Sequence, residues 1–207
     1  MLAIPVMKSD PAGTVNQLGL FLKSQKTYPD QEIDRDLQKL EHLRRDALNI
    51  SDASENGQTV ILKYCAQLKT LAPRLSSLQL DLPITLAWFD AFATSKKATS
   101  SIFYLDLAAL YWNLGAFESL LGGRVDRSTD DGSRTASRHF QQAAGYFTLL
   151  LENLSAQISA FHLPCLSSDS LTMCRDLMLS QAQLCFYEKA VRDRKAGGGG
   201  MGGGVGG

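Results

Sequence analysis

Leu177-Met178-Leu179-Ser180-Gln181-Ala182-Gln183-Leu184-Cys185-Phe186-Tyr187-Glu188-Lys189-Ala190 contains neither Gly nor Pro and is built largely from good helix formers, so it predicts a helix. It carries the adjacent aromatics Phe186 and Tyr187 just ahead of a charged run ending Arg192-Asp193-Arg194-Lys195. The chain then passes into a glycine-rich end from Gly197 to Gly207. Neighbouring helical positions point about 100° apart, so Phe186 and Tyr187 cannot both enter one core. One of them is expected to face outward. Such an aromatic can anchor a partner helix, or can await cover from a further part of the fold; the residues alone leave both readings open. Upstream, Pro164 breaks the preceding element and Ser167-Ser168-Asp169 offers N-cap candidates for this helix.

Working back from that helix, the pattern stays helical. Phe140, Ala144, Phe147, Leu151, Leu154 and Ile158 recur at three-to-four spacing, as do Phe103, Leu107, Leu110, Leu114, Phe117 and Leu121. These two stripes predict a helical hairpin, with Gly122-Gly123 ending the first helix and Arg124 to Ser133 as a polar loop. Gly115-Ala116 and Ala144-Gly145 sit beside aromatics. Glycine inside a helix costs about 1 kcal/mol against alanine, so close backbone approach is expected there. Further back, helices are predicted over Thr14–Gln25, with Tyr28-Pro29-Asp30 ending it, over Ile33–Leu48, and from Val60 to Pro73, the last entered through a capping box of Asp52 and Glu55. Leu2 to Val6 and Leu82 to Phe89 read as short extended pieces around Pro5 and Pro83, and Thr94 to Ser101 as a polar loop. The fold class is therefore mainly α: a curved, solenoid-like array of antiparallel helix pairs, with a few short strands near the N-terminus and around Trp88. Residues 1–195 form the helical domain and 196–207 a flexible glycine-rich tail.

Composition narrows the function. The 207 residues carry a formal net charge of +0, which supplies no general field to gather nucleic acid or an anionic membrane surface. Mixed runs such as Arg44-Arg45-Asp46, Arg124-Val125-Asp126-Arg127 and Arg192-Asp193-Arg194-Lys195 read as solvated faces or loops. No apolar run approaches the roughly 20 residues of a membrane span, and no secretory leader is recognised, so a cytoplasmic location is expected. Cys65, Cys165, Cys174 and Cys185 form no C-x-x-C pair; they read as buried free thiols. His42, His139 and His162 stand apart from acids or cysteines at ligand spacing, and no Walker loop, H-E-x-x-H or nucleophile elbow occurs. Catalytic residues, metal ligands and cofactors are all expected to be none. Trp88 and Trp112 read as packing residues.

Five blocks, in order, resemble the Alix-type Bro-one domain family of endosomal-sorting scaffold proteins. They are Leu37 to Ala47, Trp88-Phe89-Asp90-Ala91-Phe92, Tyr111-Trp112-Asn113-Leu114-Gly115-Ala116, Ala136 to Phe147, and Leu177-Met178-Leu179-Ser180-Gln181-Ala182-Gln183. The resemblance implies a boomerang-shaped helical array with a small sheet and no catalysis. It implies binding of the C-terminal amphipathic helix of ESCRT-III filament subunits in multivesicular-body sorting. The protein would then be cytoplasmic, recruited to endosomes, and in touch with membrane only through partners. By position it places Phe186 in the apolar binding patch, and Asp130 and Arg134 at polar contacts flanking the bound helix, where charges would set its register. The remaining aliphatics of that patch would fall in the glycine tail, so the resemblance covers about the first half of the usual domain and implies weakened affinity. The same domain also sits in rhophilin-like and phosphatase-associated proteins. A signalling scaffold or a truncated structural remnant is therefore the alternative reading.

Overall fold

The computed structural model describes residues 1–10, 18–24, 30–77 and 82–198. In chain order the elements are β1 (Lys8–Ser9), α1 (Leu18–Ser24), α2 (Asp30–Leu48), α3 (Glu55–Ser77), β2 (Leu86–Phe89), β3 (Lys97–Ser100), α4 (Tyr104–Arg124), α5 (Asp130–Asn153), the short α6 (Ser155–Ile158) and α7 (Ser168–Gly198). Two single 3-10 turns, Ser159–Phe161 and Pro164–Leu166, lead from α6 into α7. The chain is mainly helical, with one small sheet of order β1-β2-β3. Both pairings are antiparallel, with Ser9 opposite Trp88 and Trp88 opposite Ala98.

The centre is α4. The sequence pattern predicts one apolar stripe, but α4 is buried almost all round, because α3 and β2 pack on one part of its surface and α5 on another. Trp112 sits between Phe92 and Phe147, edge-on to both at 5.5 and 5.2 Å between ring centres. Buried polar groups on α4 then become tie points. Asp106 accepts hydrogen bonds from Arg44 of α2 (2.8 Å), Tyr64 of α3 (2.9 Å) and Trp88 of β2 (2.7 Å). Glu118 meets His139 of α5 at 2.7 Å.

The same groups explain why the predicted strand at Leu2–Val6 is absent. The Ile4 amide donates to Ser119 Oγ, Trp112 Nε1 donates to the Pro5 carbonyl, and Asn113 both accepts from the Met7 amide and donates to its carbonyl. With its backbone taken by α4 side chains, the N-terminal segment joins the sheet only at Lys8–Ser9.

Other expectations shift in instructive ways. Thr94–Ser101 is not simply a loop, because Lys97–Ser100 pairs with β2 and buries Ala98 on the sheet's inner side. The N-cap of α3 is Ser54 rather than Asp52, its Oγ accepting from the Gly57 amide at 3.1 Å. Pro73 does not close α3, which continues to Ser77; Ala72 and Leu75, both buried, hold the last turn against the core. Gly122-Gly123 does not end α4 either. A Cβ on Gly122 would stand 2.9 Å from the Phe140 ring, and one on Gly115 would stand 3.0 Å from Phe147. Both glycines serve close helix packing, whereas Gly145 faces open space and serves none. Of the helix predicted over Thr14–Gln25, Leu18–Ser24 is present; residues 14–17 and 25, the Tyr28-Pro29 end, and 199–207 of the tail lie outside the described residues.

Candidate functional site: the exposed flanks of α7

A buried stripe of Leu171, Cys174, Met178, Ala182 and Cys185 seats α7 on α5. Its start is fixed by two devices. Ser167 Oγ accepts from the Ser170 amide at 3.2 Å, the N-cap expected from the sequence. Asp90, at the end of β2, accepts from the Cys165 amide at 2.7 Å as well as from the amides of Phe92 and Ala93. Burial alone would raise the Asp90 pKa, yet the bonds from the Ala93 and Cys165 amides outweigh it and hold the carboxyl below its ordinary value.

The far half of α7 is tied to the first turn of α5. Thr129 caps that turn, accepting from the Gly132 amide at 3.0 Å, and a Cβ on residue 132 would stand only 1.8 Å from the Asp126 carbonyl oxygen. Asp130 accepts from Lys189 at 2.6 Å and from Arg192 at 3.3 Å. The Lys189 hydrogen bond, reinforced by Arg192, holds the Asp130 carboxyl below the usual carboxylate range; Lys189 is raised in turn by Asp130 and Asp193. Arg192 also donates to the carbonyls of Arg127 (2.7 Å) and Thr129 (3.2 Å) and to Ser133 Oγ (2.9 Å). Arg127 pairs with Glu188 at 3.0 Å.

Against this frame both aromatics face outward: Phe186 is 53% exposed and Tyr187 66%. Leu179, one heptad before Phe186 on the same flank, is also exposed. The structure brings Asp130 to the turn of α7 that follows Phe186, through Lys189. It does not bring Arg134 to α7 by any described bond: that guanidinium is exposed and lies 3.5 Å from Asp131. Sequence reasoning missed Leu179, which the seven-residue spacing from Phe186 could have indicated. It also missed Arg192, and reading the charge runs as solvated faces needs correction. Arg44 is buried on Asp106, while Arg127 and Arg192 are half-buried clasps. All four cysteines are buried and free; burial pushes the thiols of Cys65 and Cys174 up to about 12 and Cys165 higher still. Among the described residues no three His, Cys, Asp or Glu side chains cluster as a metal site would require, and no helix is long and apolar enough to cross a membrane.

The profile of the BRO1-like domain matches residues 1–198. The chain belongs to the BRO1-like domain family. Its similarity to the vacuolar-sorting protein BRO1 of Arabidopsis thaliana is 34% identity over 92% of this chain and 23% of that protein. To the human tyrosine-protein phosphatase non-receptor type 23 it is 35% identity over 77% of this chain and 10% of that protein. The solved ALIX BRO1 CHMP4C complex superposes with a TM-score of 0.78 at 25% identity, covering 94% of this chain and 57% of the solved one. The chain thus spans about a quarter or less of the length of these curated relatives. For this family the described architecture, helix pairs with a small sheet, is the BRO1-like fold.

Proposed function

We propose that this BRO1-like chain is a non-enzymatic adaptor element. In this reading it docks the C-terminal amphipathic helix of an ESCRT-III filament subunit on the Phe186 flank of α7. It would work in endosomal (multivesicular body) sorting, as a cytoplasmic protein recruited to endosomes and touching membrane through its partners. The observation that carries the reading is a half-exposed Phe186, with Leu179 beside it, on a helix clamped at both ends. Rigid exposed aromatics on a preformed surface concentrate binding energy. The similarity to a BRO1 domain solved with CHMP4C supports the partner class. Phe186 is the apolar anchor. Asp130 acts by fixing the turn that follows it, and Arg134, exposed one turn further along α5, would be the cation that orients the incoming helix.

Fluorescence anisotropy with a labelled ESCRT-III C-terminal helix peptide tests this. Phe186→Ala is expected to weaken binding by roughly tenfold or more, while circular dichroism stays unchanged because the ring is not part of the core. Equal affinity of the two proteins would remove Phe186 from the site. The similarity to a phosphatase favours a second reading, a signalling scaffold of the same fold with other protein partners. That reading predicts no binding of the ESCRT-III peptide by either protein.

A further inference from the structure

Residues 2–7 run between β1 and α7 without joining the sheet, and six hydrogen bonds tie their main chain to side chains. The Ile4 amide donates to Ser119 Oγ (2.8 Å), and Trp112 Nε1 donates to the Pro5 carbonyl (2.8 Å). Asn113 accepts from the Met7 amide (2.7 Å) and donates to its carbonyl (3.0 Å). Gln181 of α7 treats Leu2 the same way, accepting from its amide and donating to its carbonyl at 2.9 Å. The segment is extended. Ser119 and Asn113 lie six residues, about 9 Å, apart along α4, and the three steps from Ile4 to Met7 cover that span at about 3 Å each, close to the rise of a strand.

These side chains are built for a peptide main chain. Asn113, Ser119 and Gln181 are each more than nine-tenths buried. Ser119 commits its hydroxyl proton to the Ala116 carbonyl at 2.7 Å, which leaves its oxygen as an acceptor toward Ile4. Asn113 and Gln181 each offer one acceptor and one donor to a single residue, the pairing a neighbouring strand would make. Side-chain recognition is limited to Ile4 and Met7, which are buried, whereas Leu2, Ala3, Pro5 and Val6 are exposed. Such a site reads an extended peptide by its backbone and by two apolar residues three positions apart. Emptied, it would strand buried amide and hydroxyl groups, so the fitting replacement for the segment is another extended peptide.

We propose that Trp112, Asn113 and Ser119 of α4 and Gln181 of α7 form a peptide-binding track. Residues 2–7 fill it as a detachable strap, and when the strap leaves it takes an extended partner peptide of the same apolar spacing. With only two buried side chains, the strap opens far more readily than α4 unfolds, since α4 is buried almost all round. Because Gln181 stands on α7, the occupant also ties α7 to α4. The track uses neither Phe186, Asp130 nor Arg134, so it stands apart from the proposed function.

Hydrogen exchange of the full 207-residue chain tests detachment. The Ile4 and Met7 amides are expected to exchange at least about tenfold faster than amides in the middle of α4. Equal rates would mean that the strap leaves only on global unfolding, and would overturn the proposal. Binding in trans is read by fluorescence anisotropy with a labelled peptide of residues 1–10. The full chain carrying Ile4→Ser and Met7→Ser, whose own strap is weakened, should bind this peptide at least about tenfold more tightly than the unaltered chain, where the strap competes. N-methylation of the peptide at Met7 keeps every side chain but removes the donor to Asn113, and should weaken binding about tenfold or more. Failure of the double variant to bind at roughly 1 mM, or indifference to the methyl group, would overturn the proposal. So would loss of folding in the double variant by circular dichroism, because the segment would then be part of the core rather than a ligand of it.

Discussion

Replacing Asp106 with Leu tests how the fold is tied together. The carboxylate is fully buried, and its three partners come from three different elements: Arg44, Tyr64 and Trp88. Burial and the Asp106 charge together push the Tyr64 phenol well above its ordinary pKa, so it remains a neutral donor at any working pH. Leucine removes the acceptor and leaves the 7%-exposed Arg44 cation without its carboxylate. Breaking a buried pair in this way costs about 3–5 kcal/mol. The phenol and indole donors add about 1–3 kcal/mol each where water cannot reach them. These terms sum to at least about 5 kcal/mol, a large part of the roughly 5–15 kcal/mol that holds a domain of this kind together. Urea unfolding of Asp106→Leu, Arg44→Met and the double variant measures it. The double variant buries no unpaired charge, so it is expected to be more stable than the sum of the single losses predicts, by about 2 kcal/mol or more. A loss below about 1 kcal/mol for Asp106→Leu, or additivity within about 0.5 kcal/mol, would refute the reasoning.

Two further expectations follow from the same packing. Gly122→Ala drives a methyl into the Phe140 ring and should destabilise by about 1–3 kcal/mol, whereas Gly145→Ala meets nothing and should stabilise by about 0.5–1 kcal/mol; paired thermal melts decide both. Because the folded Asp90 carboxyl titrates below its unfolded value, its contribution is fully present above about pH 4 and is lost as pH falls through the folded pKa. Asp90→Asn should therefore flatten the loss of unfolding free energy between about pH 5 and pH 2, and an acid limb identical to wild type would count against that role.

How much of this could be read from residues alone depends on where the partners sit in the chain. Helix α2 and the cap of α7 were legible because the apolar spacing of Ile33 to Leu48 and the Ser167 side chain act within a turn or two. The polar ties of α4 were not. Asp106 finds Arg44 62 positions away and Asn113 finds Met7 106 away, and before folding these residues look like polar interruptions in an apolar run. Strand β3 escaped because Lys97-Ala98-Thr99-Ser100 has only Ala98 to bury; the ladder with β2, not its own hydrophobicity, makes it a strand. At the site, helical geometry required one of Phe186 and Tyr187 to face outward without saying which, and in the structure both do. The role of Arg192 did not follow, because a cation inside Arg192-Asp193-Arg194-Lys195 carries no mark of the loop carbonyls it will bind.

The same distribution of contacts explains how α7 could carry the proposed binding surface without its exposed apolar residues being needed for folding. Its placement comes from the stripe between Leu171 and Cys185 and from polar clasps at both ends, Asp90 on the Cys165 amide and Asp130 and Arg192 across the first turn of α5. Phe186, Leu179 and Tyr187 take part in none of these. Their side chains can change with little effect on stability, whereas a change at Gly132 or Asp90 alters where the whole flank stands without touching a partner. On the proposed function, specificity and stability would reside in different residues of one helix. Loss of binding with unchanged stability therefore marks the flank, and loss of both together marks the clasps.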